Sequence, residues 1–275
     1  DALTSGICNV AIGANALGAS TTGCKNIAIG ELALGAGVTT GINNVAIGTT
    51  SMDALTTGIC NVAIGANALG ASTTGCLNVA IGQAMKIGVV TGIDNVAIGV
   101  NAGDDITSGS YNVAIGRDAY GDGTTGSQNV AVGIGAMETG VVTGADNVAI
   151  GTYSLQDLTS GICNIAIGKS AAGNLTTGCR NIAIGELALG TATVTGSHNT
   201  YIGYCAGNAI TSGAHNLGIG RSAGIGVTPQ DCTINIGHCA NQTTAGVVCI
   251  IGGCVMSTQF TATSDCRSKC KIKDL

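Results

Sequence analysis

The sequence predicts an all-β fold, a parallel β-solenoid or β-roll of about fifteen coils of 17 residues. Three observations carry this reading. The run Asn9-Val10-Ala11-Ile12-Gly13 recurs, aligned on its last glycine, at Gly30, Gly48, Gly65, Gly82, Gly99, Gly116, Gly133, Gly151, Gly168, Gly185, Gly203, Gly220, Gly237 and Gly252. The intervals are 17 residues, with 18 at three places and 15 at the last. A near-constant period of this length marks stacked coils, each lying on the one before. The third observation is composition: 46 Gly, one Pro, no Trp and one Phe, which suits thin layers better than a bulky globular core.

Each part of the repeat has a physical reading. Val10 and Ile12 are two apart, so in a strand they share a face while Ala11 points to the other. β-branched residues favour strands, and stacked Val/Ile columns are expected to form each chain's core. The Ala column, running from Ala11 to Ala183, is expected to meet another backbone closely. Gly13, Gly30, Gly65 and Gly168 end their strands where a residue without Cβ turns cheaply. Asn9, Asn26, Asn61 and Asn164 precede the strand, where Asn suits a positive-φ turn and a stacked amide ladder. A second apolar stretch, Ala16-Leu17 or Ala33-Leu34, predicts a second short strand in each coil. Lys86, Gly103, Tyr120 and Met137 loosen that stretch between Met85 and Gly144, and the inserted residues fall before the Thr-Gly turns. From His198 the pattern drifts: Tyr201, Gly218 and Asn235 replace the narrow Ala, and Thr233 replaces the Asn. The repeats span 1–256, and 257–275 is a polar, cationic junction.

Composition excludes several functions. Charged residues are only 9 % and the net charge is −5, so the basic stripe that nucleic acid requires is missing. Mean hydropathy is positive, yet no run approaches the roughly 18 apolar residues of a membrane helix, and insertion is not expected. The apolar excess instead predicts burial between copies of the chain. The chain opens on Asp1 within a repeat and without Met, as a processed or partial product would.

There are 13 cysteines, six of which follow the repeat as pairs in consecutive coils: Cys8 with Cys24, Cys60 with Cys76, Cys163 with Cys179. Coils stacked about 4.8 Å apart bring such pairs within disulfide reach, along one chain or between neighbours. Free buried thiols are the second reading, and metal ligation stands behind both, because no CxxC is present and His198, His215 and His238 do not join these pairs. No metal or cofactor is expected. Gly133-Ile134-Gly135 belongs to no βαβ unit, Asp104, Asp105 and Asp118 read as solvated turn residues, and the five tyrosines are scattered. No catalytic residues are expected.

The Asn-Val-Ala-Ile-Gly run with its Thr-Gly spacers resembles two groups of proteins. One is the head domain of bacterial trimeric autotransporter adhesins. The other is the repeat region of phage and giant-virus tail-fibre-like proteins that end in an intramolecular, self-cleaving chaperone domain. The segment Thr263 to Ile272 is similar to the S-D-x-R-L-K-x-x-I opening of that chaperone, matching at Ser264, Asp265, Arg267, Lys269 and Ile272 and departing at Ser268. The resemblance implies a homotrimer, intertwined or side by side, with one-time cleavage near Ser264 and Asp265. It implies a structural fibre on a virion or cell surface that presents attachment to a host glycan or receptor, with end-to-end filaments as an extension. In that trimer the Ala columns are expected to face the three-fold axis. The rivals are an adhesin whose wall binds glycan or matrix through exposed aromatics, and an ice-binding solenoid, which thermal hysteresis would reveal.

Overall fold

A computed structural model describes residues 4–225, 231–241 and 248–250. The expected junction at Ser264 and Asp265, the segment 257–275 and the last repeat glycine, Gly252, lie outside the described residues. The described chain forms one 15-stranded parallel sheet, ordered β1 (Val10–Ile12) through β15 (Val248–Ile250) in sequence order. Each strand pairs with the next in register, so Val10 lies beside Ile27, Ala11 beside Ala28 and Ile12 beside Ile29. The 18-residue coils keep this register, as between Ile29 and Ile47, so their extra residue is absorbed outside the strand. This is the predicted β-solenoid.

The sides of the strand are reversed from expectation. Ala28, Ala46, Ala63 and their equivalents through Ala183 are fully buried inside the coil, while Val and Ile point outward, half-buried or exposed. Thickness explains the reversal. Opposite the strand, a second wall of the coil delivers Leu17, Leu34, Met52, Leu69, Leu155 and Leu189 into the interior, all buried. Only a methyl group remains to be accommodated on the strand side. Leu55, Ile106, Leu158 and Leu175 close the third side. Each fully buried leucine contributes about 1.5–3 kcal/mol, so this wall carries much of the apolar stabilisation.

That second wall is not a strand. Among the described residues, the regular strand of each coil is the Val-Ala-Ile segment or its equivalent, and the Ala-Leu stretch is a succession of tight turns. Leu17, Leu34, Met52, Leu69 and Leu155 have φ between 48° and 54°, in the left-handed region that non-glycine residues ordinarily avoid. Hydrogen bonding explains the choice. Single left-handed residues rotate their amide to lie along the solenoid axis. Leu34 N–H then donates to Ser51 O in the following coil (3.0 Å), while Leu32 N–H, also left-handed, donates to Ala14 O in the preceding one (2.9 Å). The turns are therefore tied coil to coil as firmly as the strands, which offsets their conformational cost.

A buried amide column runs beside the strand. Asn44 N–H and Asn44 Nδ2 both donate to Asn26 Oδ1 (2.9 and 3.2 Å), and Nδ2 also donates to Gly58 O (2.9 Å). The pattern starts at Asn9, recurs through Asn61, Asn95 and Asn164, and ends where Thr233 N–H and Oγ1 donate to Asn216 Oδ1. The ladder read from the sequence is present, but its asparagines are not the left-handed residues. Those are the preceding ones, Cys8, Lys25, Asn43 and Cys60 among them.

Where the core changes, volumes compensate. Tyr201 takes the Ala position of β12 (Thr200–Ile202), and its ring fills space that a Cβ on Gly207, Gly218 or Gly224 would occupy, at 2.6, 2.3 and 2.8 Å. The drift after His198 therefore repacks the coil's own interior and not a contact with another chain. Tyr120 similarly takes a leucine position, with Asn129 Nδ2 donating to its Oη (3.1 Å). Burial pushes both tyrosine hydroxyls well above their ordinary ionisation range, so they are neutral in the folded chain.

Candidate functional site

With the asparagines and glycines spent on internal ladders, any function must reside on the outer surface. Its largest uniform feature is the outer face of the sheet. Two columns run its length, from Val10 and Ile12 through Val113 and Ile115 to Ile234 and Ile236. Ile64, Ile81, Ile115, Ile150 and Ile167 are each between 37 and 40 % exposed although fourteen neighbouring strands flank or continue their column. No charged residue interrupts this stripe among the described strands, and Thr200 is its one polar member. On one side it is bordered by an exposed or half-buried column that includes Lys25, Asp94, Asp146 and Arg180. On the other, an exposed column includes Glu31, Arg117, Lys169 and Glu186.

The cysteines expected as staples are not joined. Cys8, Cys24, Cys60, Cys76, Cys163 and Cys179 are free thiols, as are the other described cysteines. Geometry assigns Cys24 and Cys76 a different task. The Cys24 Sγ accepts from Ile7 N–H (3.5 Å) and the Cys76 Sγ from Ile59 N–H (3.4 Å), each capping an amide of the preceding coil. Ser110, Ser127 and Ser197 do the same for Ile93, Ser110 and Cys179, which makes these thiols serine equivalents. Cys8 and Cys163 lie one position further on, in the exposed left-handed column.

Other chemistry is dispersed. Asp104, Asp105, Asp118, Asp122 and Glu138 line a recess of 190 Å³; Lys86, which does not line it, pairs with Asp104 (3.3 Å) and contacts Asn101. Burial, then repulsion from Asp104 and Asp122, raises the Asp105 carboxyl above its usual range. From the sequence, Asp104, Asp105 and Asp118 read as solvated turn residues; the stacking of three consecutive coils brings them to one edge with Asp122 and Glu138. Among the described residues, no three His, Cys, Asp or Glu side chains are placed to hold a metal ion. His198 and His215 stack with ring centroids 4.8 Å apart, and Arg221 lies over the Tyr204 ring at 5.7 Å. Tyr111, Tyr153 and Tyr204 are exposed in well-separated coils and do not gather into a groove. No helix among the described residues is long and apolar enough to cross a membrane.

One regularity was missed in the sequence. The first residue of each Thr-Gly or Ser-Gly turn forms an exposed hydroxyl column, from Ser5 through Thr22, Thr57, Ser108 and Thr177 to Ser212. Val38, Val89 and Val141 fall two places earlier in the turn, exposed at every third coil. Aligning on the turn glycine instead of the strand glycine would have shown it.

In comparisons with known proteins, the chain matches no family model and no curated protein.

Proposed function

We propose that the chain is a structural fibre segment: a homotrimeric shaft, outside the cell or on a virion surface, that projects or spaces an attachment tip. The observation that carries this reading is the unbroken register of fifteen strands, with sheet, amide and turn hydrogen bonds tying coil to coil along the described residues. Such an array transmits force along its length and offers a protease few loose segments. At about 4.8 Å per coil the shaft is on the order of 70 Å long. Catalysis has no part in this reading.

Negative-stain electron microscopy of the isolated protein tests it. Straight particles of constant width and about 70 Å length are expected; compact or freely bent particles would overturn the reading.

A second reading has one observation in its favour. The exposed hydroxyl column from Ser5 to Ser212 recurs coil after coil, which supports an ice-binding surface; thermal hysteresis decides that reading.

A further inference from the structure

We propose that His198 and His215 form a two-imidazole site for one divalent transition-metal ion of the Ni²⁺, Cu²⁺ or Zn²⁺ kind, which ties two successive coils together on the outer surface. Nothing in the pair requires the fibre reading.

The backbone brings the two rings together. His198 N–H donates to Cys179 O (2.9 Å) and His215 N–H to Ser197 O (3.1 Å). Each histidine therefore stands one coil beyond the last in a single exposed column that reads Arg180, His198, His215 and Cys232. Both are left-handed, with φ 62° and 60°, so their side chains leave the coil in the same direction. The rings stack with centroids 4.8 Å apart and planes 14° from parallel. Neither ring makes a hydrogen bond or ion pair among the described residues, whereas His238 contacts Arg221 and Cys239. Elsewhere this column changes from coil to coil, through Lys25, Asp94, Gln128 and Asp146; one ligand type in two consecutive coils occurs here.

The spacing suits a shared ion. Metal–imidazole bonds are about 2.0–2.1 Å, so two nitrogens on one tetrahedral ion lie roughly 3.3 Å apart. Drawing stacked rings to that separation moves each ring tip by less than about 1 Å, which rotation of two exposed side chains supplies. Imidazole pairs favour Ni²⁺, Cu²⁺ and Zn²⁺, while Mg²⁺ and Ca²⁺ take oxygen ligands. With no third His, Cys, Asp or Glu in place among the described residues, the other coordination positions are left to water. Such a site is a surface clasp. Its position gives it a task, because the two histidines precede β12 (Thr200–Ile202) and β13 (Leu217–Ile219), where the inward Ala gives way to Tyr201 and Gly218. Tyr201 Oη is buried there without a hydrogen-bond partner among the described residues. An ion held only by the folded chain stabilises the join at which the interior packing changes.

Calorimetric titration of Ni²⁺ into the full chain tests this at about pH 8, since imidazole binds metal in its neutral form, with the thiols kept reduced. Glutamine is the substituent of choice, because Gln128 already occupies the same column with φ 61°. His198→Gln or His215→Gln is expected to weaken Ni²⁺ binding by about tenfold or more, the loss of two-point attachment. His238→Gln is expected to leave it unchanged. Every variant keeps all the cysteines, so binding by thiols is common to them. Ni²⁺ is also expected to raise the unfolding midpoint of wild type and of His238→Gln, but not of either pair variant. No binding to wild type, equal affinity in wild type and the pair variants, or an equal loss in His238→Gln overturns the inference. Should the pair variants not fold, Zn²⁺ titrated into wild type labelled at its three histidines is expected to shift two ring signals together and leave the third. A shift of all three alike, of one alone or of none overturns it.

Discussion

Asn112→Leu is expected to destabilise the fold by about 3–5 kcal/mol, the sum of two or three orphaned buried polar groups. Asn112 Oδ1 accepts the N–H of Asn129 (2.9 Å), and its Nδ2 donates to Asn95 Oδ1 (3.0 Å) and Gly126 O (2.9 Å). Leucine matches the volume but offers neither donor nor acceptor, and water has no access to the fully buried Asn129 that loses its partner. The rungs on each side are polarised by this one, so the loss propagates along the column. The same substitution at Asn9, a half-buried rung at the end of the array, is expected to cost nearer 1 kcal/mol. Denaturant unfolding followed by circular dichroism measures both. A cost below about 1 kcal/mol at Asn112 would show that the ladder is a by-product of stacking and not a cause of stability.

Gly116→Ala carries the second large effect, at least about 4 kcal/mol, from backbone strain compounded by a collision. Gly116 has φ +126°, a region closed to side chains, and a Cβ there would lie 2.6 Å from Gly133 O and 2.8 Å from Gly133 C. The neighbour cannot give way, because Gly133 is itself held with φ +135° and its own Cβ position is 2.6 Å from Gly151 O. A shift at one coil would have to pass down the whole column. Gly121→Ala is the matched control in the same coil: its nearest contact is Glu138 O at 3.3 Å, with no positive φ, and a change within about 1 kcal/mol is expected. Equal losses at the two glycines in thermal unfolding would refute the stacking argument.

Much of this fold was legible in the residues. The strands, their order and register, and the Asn and Gly columns all follow from a period that repeats without interruption, since stacked identical coils leave one way to pair. The sidedness of the strand did not follow. The rule that larger apolar residues go inward assumes a partner layer at sheet-packing distance. In a single coil the opposite wall is close enough to bring Leu34 and Met52 against the strand, and only the methyl of Ala28 or Ala46 fits. The left-handed leucines were equally hidden, because local preference argues against them and only axial hydrogen bonding across coils favours them. The cysteines misled for a related reason. Their spacing by nearly one coil places Cys24 over Ile7 and leaves Cys8 in the next column, so recurrence in sequence did not mean pairing in space. The candidate surface was half visible: the Val and Ile columns were read from the repeat, but they were assigned to the interior and lie on the outer face.

Native mass spectrometry of the intact particle, with and without reductant, tests the central claim most directly. The account predicts a mass of three chains under both conditions, since the described cysteines are free thiols and the proposed trimer is non-covalent. A single-chain mass under both conditions, or a three-chain mass that reductant takes apart, would contradict it.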